Sequence, residues 1–392
     1  MAGGDTMSGA WWLARKDLDR DQNLVISLPV DESAQITGPP GCGKTNLLLL
    51  RANYYYLQGL RNICILTLTR SLTDFIKTGA DQYDFPTEKI TTIKEWQIAF
   101  LRQFGEPIPA SIGDFGKDRA ALGEAVNALI DRRGLTKLYQ AILLDEAQDC
   151  LPSEVDAFAK VAERIFCSAD ERQKIYRGPN SLLALQGHIK HNIALTYHYR
   201  NGLNICKIAD AIAKENKAYR ALSATSNYNE KANPSTVESF RLGTLTDQVN
   251  AVIDRLGIQM AAFPKEFIGV LVPKVETMGK VWQEISASRF GRSATLIHGS
   301  SDDPPSVARP ILVSSFHAAK GFEFRAAHLL ACEELSKFSL NRNMAYTAVT
   351  RAKTSLTLYY SKPLLGYLER AIDLVGELRP PPSIDDIFGK KK

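Results

Sequence analysis

Eight consecutive residues, Gly38-Pro-Pro-Gly-Cys-Gly-Lys44-Thr45, have the types and spacing that can hold a chain of phosphates. They fit the pattern G-x-x-x-x-G-K-[ST], in which backbone N–H groups surround phosphate oxygens. In that pattern the lysine reaches the β- and γ-phosphates, and the final hydroxyl binds Mg²⁺. The segment 34–37 is typical of a strand, and 45–60 is typical of a helix whose N-terminus would favour negative charge. The sequence therefore predicts a site for a nucleoside triphosphate with Mg²⁺, formed by Gly38, Gly41, Gly43, Lys44 and Thr45.

An acidic run, Leu143-Leu-Asp145-Glu146-Ala-Gln148-Asp149, follows an apolar segment that is typical of a buried strand. A carboxylate at the end of such a strand is where a phosphate-loop protein holds Mg²⁺, so Asp145 is expected to be a metal ligand. Glu146 is expected to polarise the attacking water. The alternative, an acidic turn that only caps a strand, is less favoured because the phosphate loop lies upstream in the same alternating unit.

The patterning of the chain predicts the framework that positions these residues. Short apolar or β-branched runs alternate with amphipathic segments such as 118–132, which indicates an α/β fold with parallel, doubly wound sheets. The alternation restarts after the polar stretch 224–234, so domains are expected at 21–223 and 224–378. An extension at 1–20 and a disordered tail at 379–392 complete the predicted organisation. The expected strands are 34–37, 63–68, 89–92, 141–145, 165–168, 193–196, 236–240, 268–272, 294–297, 311–315, 328–331 and 356–360.

Composition sets wider bounds. A length of 392 residues makes two domains the natural expectation. The formal net charge of +5 favours a polyanionic partner only weakly. No apolar run reaches the roughly 18 residues that cross a bilayer, and the N-terminus lacks the pattern of a signal peptide. A cytoplasmic protein with no membrane partner is therefore expected. The six cysteines stand singly along the chain, so no structural metal is expected.

The run Asp145-Glu146-Ala-Gln148-Asp149 resembles motif II of superfamily 1 helicases, and other runs resemble the remaining motifs of that family in order. The resemblance is to superfamily 1A DNA helicases of the UvrD/Rep/PcrA type. It extends from residue 22 to residue 353 and so covers most of the chain. The matching runs are Thr67-Leu-Thr69-Arg70 for motif Ia, Thr91-Thr92-Ile-Lys94-Glu-Trp96 for Ib, Ser168-Ala-Asp170-Glu-Arg-Gln173-Lys-Ile-Tyr176 for III, Tyr197-His-Tyr199-Arg200-Asn201 for IV, His317-Ala-Ala-Lys320-Gly321-Phe-Glu323-Phe324 for V and Asn343-Met-Ala-Tyr346-Thr-Ala-Val-Thr350-Arg351-Ala352 for VI.

This resemblance implies roles for residues around ATP, which the family binds between two RecA-like P-loop domains. Gln22 and Tyr199 would contact the adenine base, and motif V would contribute Gly321 and a ribose contact from Glu323. The implied catalytic residues are Glu146, a glutamine that senses the γ-phosphate and two arginines that contact the phosphates. These last three are Gln173, Arg200 and Arg351.

The resemblance also implies a path for single-stranded DNA, along motifs Ia, Ib, III and V. Its expected contacts are Thr69, Arg70, Thr92, Lys94, Tyr176, His317 and Lys320. The chain departs from the family where bases are gripped: Leu68 replaces a phenylalanine, Lys94 replaces a histidine, and Arg177-Gly178-Pro179 follows Tyr176 in place of an aromatic residue. Tyr176 and Trp96 are the candidates to compensate, although Trp96 is equally consistent with a core position. The short intervals 97–144 and 202–312 indicate a minimal member without full accessory insertions.

The implied function is that of a DNA-stimulated ATPase, a translocase or helicase that moves 3′ to 5′ on single-stranded DNA, with RNA left open. The alternative is a nucleic-acid-gated ATPase subunit of a larger nuclease, repair or phage-defence complex, with a protein partner and little unwinding of its own. A small-molecule P-loop kinase is a further alternative. The acidic run and the distant Arg351 disfavour it, because such kinases are compact single domains closed by a lid.

Overall fold

The computed structural model describes residues 17–176, 178–213, 220–297, 306 and 308–377. The chain forms two compact units. The first comprises Met1–Arg200, Ile297–Val307 and His317–Phe322, and the second comprises Asn201–Leu296, Ala308–Phe316 and Glu323–Lys392. The domain limits expected from the sequence, 21–223 and 224–378, remain a prediction. Residues 1–16 of the expected extension and the expected tail at 379–392 lie outside the described residues.

The first unit contains a parallel sheet of six strands in the order β3-β2-β4-β5-β1-β6. Strand β5 lies between β1 and β4, so the segments that follow these three strands emerge side by side at one edge of the sheet. The strands are β1 (Ala34–Thr37), β2 (Ile63–Thr67), β3 (Ile90–Thr92), β4 (Ala141–Leu144), β5 (Ile165–Ala169) and β6 (His191–Ala194). The helices are α1 (Arg20–Ile26), α2 (Lys44–Leu57), α3 (Arg70–Ala80), α4 (Ile93–Gln103), α5 (Phe115–Arg133), α6 (Pro152–Val161) and α7 (Ser181–Gln186).

Helices cover both faces of this sheet, and alternate residues of β4 show it. Ile142 and Leu144 pack into a cluster with residues of α4, α5 and α6, whereas Leu143 packs into a second cluster with residues of α2 and α3. Every residue of β2, β4 and β5 is buried. Burial of this kind is typical of parallel strands, because the connecting helices lie on both faces.

The second unit repeats this architecture with the strand order β7-β12-β11-β8-β10-β9. The pairs β7–β12, β12–β11, β11–β8 and β8–β10 are parallel. Helices α9 and α10 pack on β8 and β10 in one apolar cluster. The strands are β7 (Thr236–Arg241), β8 (Ile268–Val272), β9 (Ala294–Ile297), β10 (Ile311–Ser315), β11 (Phe324–Leu329) and β12 (Ala352–Tyr360), and the helices are α8 (Leu203–Ala213), α9 (Leu245–Ala262), α10 (Val275–Ala287), α11 (Asn341–Val349) and α12 (Gly366–Glu377).

The predicted α/β class is confirmed: each unit is built on a parallel sheet, as in a RecA-like domain. Each of the twelve expected strand positions coincides with or overlaps an observed strand. The strand expected at 328–331 begins earlier, at Phe324, because Ala326 and Ala327 pair with β12 and β8 despite the low strand propensity of alanine. Among the described helices, none is both long and apolar enough to cross a membrane.

Candidate nucleotide site and nucleic-acid surface

The phosphate loop joins β1 to α2, as its sequence predicts. Gly41 and Gly43 have φ angles of 75° and 86°, in the left-handed region that glycine adopts without steric cost. The Lys44 ammonium group donates to the carbonyl oxygens of Gly38 at 2.8 Å and Pro39 at 3.1 Å, so it lies over the backbone of the loop. The loop therefore presents a cation and the N-terminus of a fourteen-residue helix on the same side.

The Thr45 hydroxyl donates to a carboxylate oxygen of Asp145 at 2.8 Å, across from the end of β4. Ser168 on β5 donates to the other carboxylate oxygen. Burial, together with the negative charge of Glu146, raises the pKa of Asp145 above its usual range. A bound cation would relieve this cost, and a hydroxyl beside a carboxylate provides oxygen ligands of the kind that Mg²⁺ prefers. Across the described residues, His, Cys, Asp and Glu form no group of three suited to a metal ion.

Glu146 follows Asp145 in a strained backbone conformation. Its φ of 55° lies in the left-handed region, which costs a residue other than glycine on the order of 1–3 kcal/mol. Hydrogen bonds hold this conformation: the Glu146 N–H lies 3.1 Å from Asp145 Oδ1 and 3.3 Å from Ser168 Oγ. The Gln148 side-chain amide donates to the Glu146 carboxylate. The carboxylate is thus fixed directly beside the expected metal ligand.

Lys320 reaches the acidic run from the segment His317–Phe322, which is part of the first unit. Its ammonium group donates to the Asp149 carboxylate and to the Gln173 carbonyl oxygen at 3.0 Å, and lies 3.2 Å from Glu146 Oε2. Only 3% of Lys320 is exposed. Burial disfavours the charged form, but the carboxylates of Asp149 and Glu146 outweigh this effect and raise the pKa of Lys320. The assignment of Lys320 to nucleic acid remains a prediction, since its observed contacts are with the acidic run.

Gln173 is connected to Glu146 through two further side chains. Its amide donates to the Asp170 carboxylate at 3.0 Å, and the Asp170 N–H donates to Gln148 Oε1 at 3.0 Å. Because the amide of Gln148 also donates to Glu146, a chain of hydrogen bonds runs from Gln173 to the expected general base. The structure therefore brings the expected γ-phosphate sensor and the expected general base into one network of hydrogen bonds.

Residues expected to contact adenine and phosphate gather at the other side of the loop. Gln22 donates to the Cys42 carbonyl oxygen at 3.0 Å, and its place on α1 is fixed by a reciprocal cap with Asp19. The Tyr199 hydroxyl donates to Asp19 at 2.6 Å, while its N–H donates to Gly41 O at 3.1 Å. A Cβ placed on Gly41 would lie 2.3 Å from Arg200 Cβ, so Arg200 packs directly on the loop.

The remaining expected nucleotide contacts fall in different parts of the chain. Gly321 belongs to the first unit, has a φ of 97° and packs near Leu72. Glu323 and Arg351 belong to the second unit. Within it, Arg351 is buried and donates from Nε to the Thr347 carbonyl oxygen at 3.1 Å. The roles of these three residues toward a nucleotide remain predictions.

The motif Ia and Ib residues lie at the N-terminal ends of two helices. Thr69 caps α3, and Thr92 caps α4 in a reciprocal arrangement with Glu95. Arg70 pairs with Glu95 at 3.2 Å on the surface, and Lys94 is exposed. Helix N-termini with nearby cations are suited to phosphate groups.

Trp96 does not provide the exposed ring that its motif suggested. It is 5% exposed, stacks on Phe100 with ring centroids 5.0 Å apart and donates to the Tyr139 hydroxyl at 3.1 Å. Of the two positions that the sequence left open for Trp96, the structure shows the core one, because the indole packs in the apolar cluster beneath α4. Tyr176 remains a candidate: its ring lies 5.5 Å from that of His317, whose pKa is lowered by burial.

Three residues that contact the expected catalytic groups were not assigned from the sequence. Ser168 bonds both Asp145 and the Glu146 backbone, Gln148 bonds Glu146, and Asp149 pairs with Lys320. Each lies inside a run that resembles motif II or III. Their places within those runs could have marked them as site residues. Their hydrogen-bond partners could not be predicted, because these depend on the order of β4, β5 and β1 in the sheet.

One segment of the chain matches a described family. Residues 310–359 match the family model of the UvrD-like helicase C-terminal domain. This segment includes β10, β11, α11 and most of β12, and it contains the runs that resemble motifs V and VI. The chain carries a UvrD-like helicase segment. The predicted resemblance to UvrD-like helicases is confirmed over this segment, whereas the minimal character of the chain remains a prediction.

Two solved structures show a weaker likeness to this chain. The C-terminal domain of a possible DNA helicase from Lactobacillus plantarum WCFS1 is 18% identical, with 45% of this chain and 96% of that chain covered and a TM-score of 0.33. The PRRSV helicase is 17% identical, with 86% of this chain and 54% of that chain covered and a TM-score of 0.42. This chain thus spans about half the length of the PRRSV helicase. No curated protein matches the chain.

Proposed function

We propose that the chain is an ATP-dependent nucleic-acid translocase or helicase that couples hydrolysis to 3′ to 5′ movement on single-stranded DNA. The observation that carries this proposal is the position of the Thr45 hydroxyl, 2.8 Å from the carboxylate of Asp145, which directly follows strand β4. The phosphate loop and the acidic run thereby form one site. The UvrD-like segment at 310–359 supports a motor in preference to a small-molecule kinase.

The chain's own residues divide the work of hydrolysis. Lys44 would bind the β- and γ-phosphates, and Gln22 and Tyr199 would hold the base beside the loop. Thr45 and Asp145 would hold Mg²⁺, which when bound neutralises charge on the phosphates. Glu146 would orient the attacking water and accept its proton, since Gln148 and the backbone fix its position. Arg200 packs on the loop, and it and Arg351 would stabilise charge in the transition state.

Direction of movement is tested by displacement of streptavidin from biotinylated oligonucleotides. A motor that moves 3′ to 5′ arrives at the 5′ end, so ATP should speed release of streptavidin from a 5′-biotin and leave a 3′-biotin unaffected. Glu146→Gln is the matched control, because it should retain ATP binding and displace neither. Faster release from the 3′ end would contradict the proposed polarity, and release by the Glu146→Gln variant would contradict ATP-driven movement.

The second candidate is a nucleic-acid-gated ATPase within a larger complex, and the small number of aromatic rings available to bind bases favours it. Trp96 is buried in the core, and Gly178 and Pro179 stand where the family has an aromatic residue, so less ring surface is available to grip bases. Separating one base-pair step costs about 1.4 kcal/mol in stacking, and a weak grip would slip against that cost. Strand displacement measured alongside ATPase rate separates the two: efficient unwinding of a long duplex by the chain alone would favour the helicase.

A further inference from the structure

An aromatic side chain outside every helicase-like motif lies beside the expected DNA path. Phe115 is the first residue of α5 and is 60% exposed. Its ring centroid is 5.9 Å from that of Tyr176, which in turn is 5.5 Å from that of His317. Single exposed apolar residues are common on proteins, so exposure alone assigns nothing. The evidence for a role in binding is that this ring contacts Tyr176, which in turn contacts His317, and both are expected contacts of the DNA.

The exposed ring is held in place by its surroundings. Asp114 caps α5 by accepting from the Lys117 N–H at 2.9 Å. The Asp118 carboxylate holds the preceding loop, because it accepts hydrogen bonds from the Ser111 hydroxyl at 2.5 Å and from the Ile112 N–H at 2.8 Å. Phe115 therefore starts a helix whose N-terminal turn is fixed on both sides. A ring presented by a rigid element offers a stacking surface at little entropic cost.

Positive charge lies near the same surface. Helices α4 and α5 pack side by side in the same direction, with Gln97 beside Gly123 and Arg133 donating to the Phe104 carbonyl oxygen at 3.1 Å, so Lys94 at the start of α4 lies towards the first turn of α5. Lys94 is exposed at the N-terminal end of α4. An aromatic ring beside a cation is the combination by which proteins bind single-stranded nucleic acid: the ring stacks on a base and the cation contacts the backbone.

We propose that Phe115 stacks on a nucleobase of the bound single strand and replaces the aromatic residue that the chain lacks after Tyr176. The base lies on the exposed side of Phe115, since the rings of Phe115 and Tyr176 are too close together to admit a base between them. Tyr176 backs the ring, and Lys94 contacts an adjacent phosphate. This inference rests on the proposed nucleic-acid-binding function and names a contact within it.

The test compares binding of two oligomers of equal length by fluorescence anisotropy: oligothymidine, and an abasic oligomer with the same sugar–phosphate backbone. Phe115→Ala in the full chain should weaken oligothymidine binding about tenfold, within the range of base–aromatic stacking. It should leave abasic binding unchanged, and Phe115→Trp should restore affinity. Ile258→Ala is the matched control, because it removes another exposed apolar side chain, 73% exposed on α9.

Salt dependence separates stacking from charge. Phe115→Ala should leave the slope of log affinity against log salt unchanged, whereas Lys94→Gln should reduce it by about 0.7, the value for one phosphate contact on a single strand. If Phe115→Ala binds oligothymidine as tightly as the wild type, or loses the same affinity for both oligomers, Phe115 does not stack on a base. Either result would leave the proposed function standing. Failure of the wild-type chain to bind either oligomer would overturn the proposed function as well.

Discussion

Lys44 and Glu146 have different expected roles at the proposed nucleotide site, and their variants should separate ATP binding from hydrolysis. Lys44→Ala removes a cation that lies over the loop carbonyls, so ATP affinity should fall together with the rate. Glu146→Gln leaves the loop and the Thr45–Asp145 contact intact, so ATP should bind with nearly unchanged affinity while hydrolysis is lost. Calorimetric titration with ATP and phosphate-release assays measure the two effects. Hydrolysis by Glu146→Gln at the parental rate would remove Glu146 from its assigned role.

The Lys320–Asp149 pair is buried, so removing one partner should be costly and removing both should cost less. Lys320→Met leaves Asp149 and Glu146 as uncompensated carboxylates, which should destabilise the chain by about 3–5 kcal/mol. Adding Asp149→Asn to that variant should recover part of the loss, because one buried negative charge is then absent. Urea unfolding of the wild type, both single variants and the double variant gives the coupling. Strictly additive losses would contradict an energetic pairing of the two residues.

At this scale the sequence indicated where the candidate site residues lie in the fold, but it did not indicate which side chains they contact. Lys44, Thr45, Asp145 and Glu146 could be assigned because the spacing of a phosphate loop and an acidic strand end constrains them tightly. The bond from Ser168 to Asp145 joins residues on separate strands and depends on β5 lying next to β4. Trp96 was open from the sequence alone, since a tryptophan in an amphipathic helix can face either the core or a ligand.

Strand β11 of the second unit carries a buried histidine that should make stability depend on pH. His328 lies 2.8 Å from Gln259 Oε1 through Nε2 and 3.2 Å from the Tyr359 hydroxyl through Nδ1, which suits a neutral ring that donates once and accepts once. Burial, with a smaller effect from the charge of Arg255, lowers the pKa of His328 to about 3. An unfolded histidine titrates near pH 6.5, so between these values the unfolded chain binds a proton that the folded chain does not.

Stability should therefore fall as the pH drops below about 6.5, by roughly 2 kcal/mol between pH 8 and pH 5 from this residue alone. Because other groups also titrate in this range, the informative quantity is the difference between the wild type and His328→Gln. The variant should show a shallower decline of unfolding free energy with falling pH, measured by urea denaturation at several pH values. Parallel pH profiles for the two proteins would contradict the assignment of this proton to His328.

Element positions could be predicted because alternation of apolar runs and amphipathic helices leaves few choices in an α/β chain. Strands β2, β4 and β8 are buried along their whole length, and their apolar sequences could be recognised as strands. The start of β11 could not be recognised in this way. Its Ala326 and Ala327 are weak strand formers that pair because β8 and β12 flank them. The pairing with the flanking strands therefore outweighs the low strand propensity of these residues.

At the scale of the whole molecule, two parallel sheets and a UvrD-like segment at 310–359 are what support a motor. The segment His317–Phe322 joins β10 to β11 of the second sheet but belongs to the first compact unit. Through it, Lys320 reaches Glu146 and His317 reaches Tyr176. One short segment thus contacts both the expected general base and the expected DNA path. The sequence placed these residues in one motif, but their partners became apparent only from the fold.

On the proposed function, the rate of ATP hydrolysis responds to a single-stranded nucleic acid, and an assay of phosphate release measures this response. Wild-type protein is assayed with ATP and Mg²⁺ alone, with oligothymidine, with duplex DNA and with single-stranded RNA, at one fixed salt concentration, with Glu146→Gln as the control for contaminating ATPase. We expect a low rate without polymer, a steep rise with oligothymidine and no activity from Glu146→Gln under any condition. A wild-type rate that is the same with and without every polymer would contradict the account.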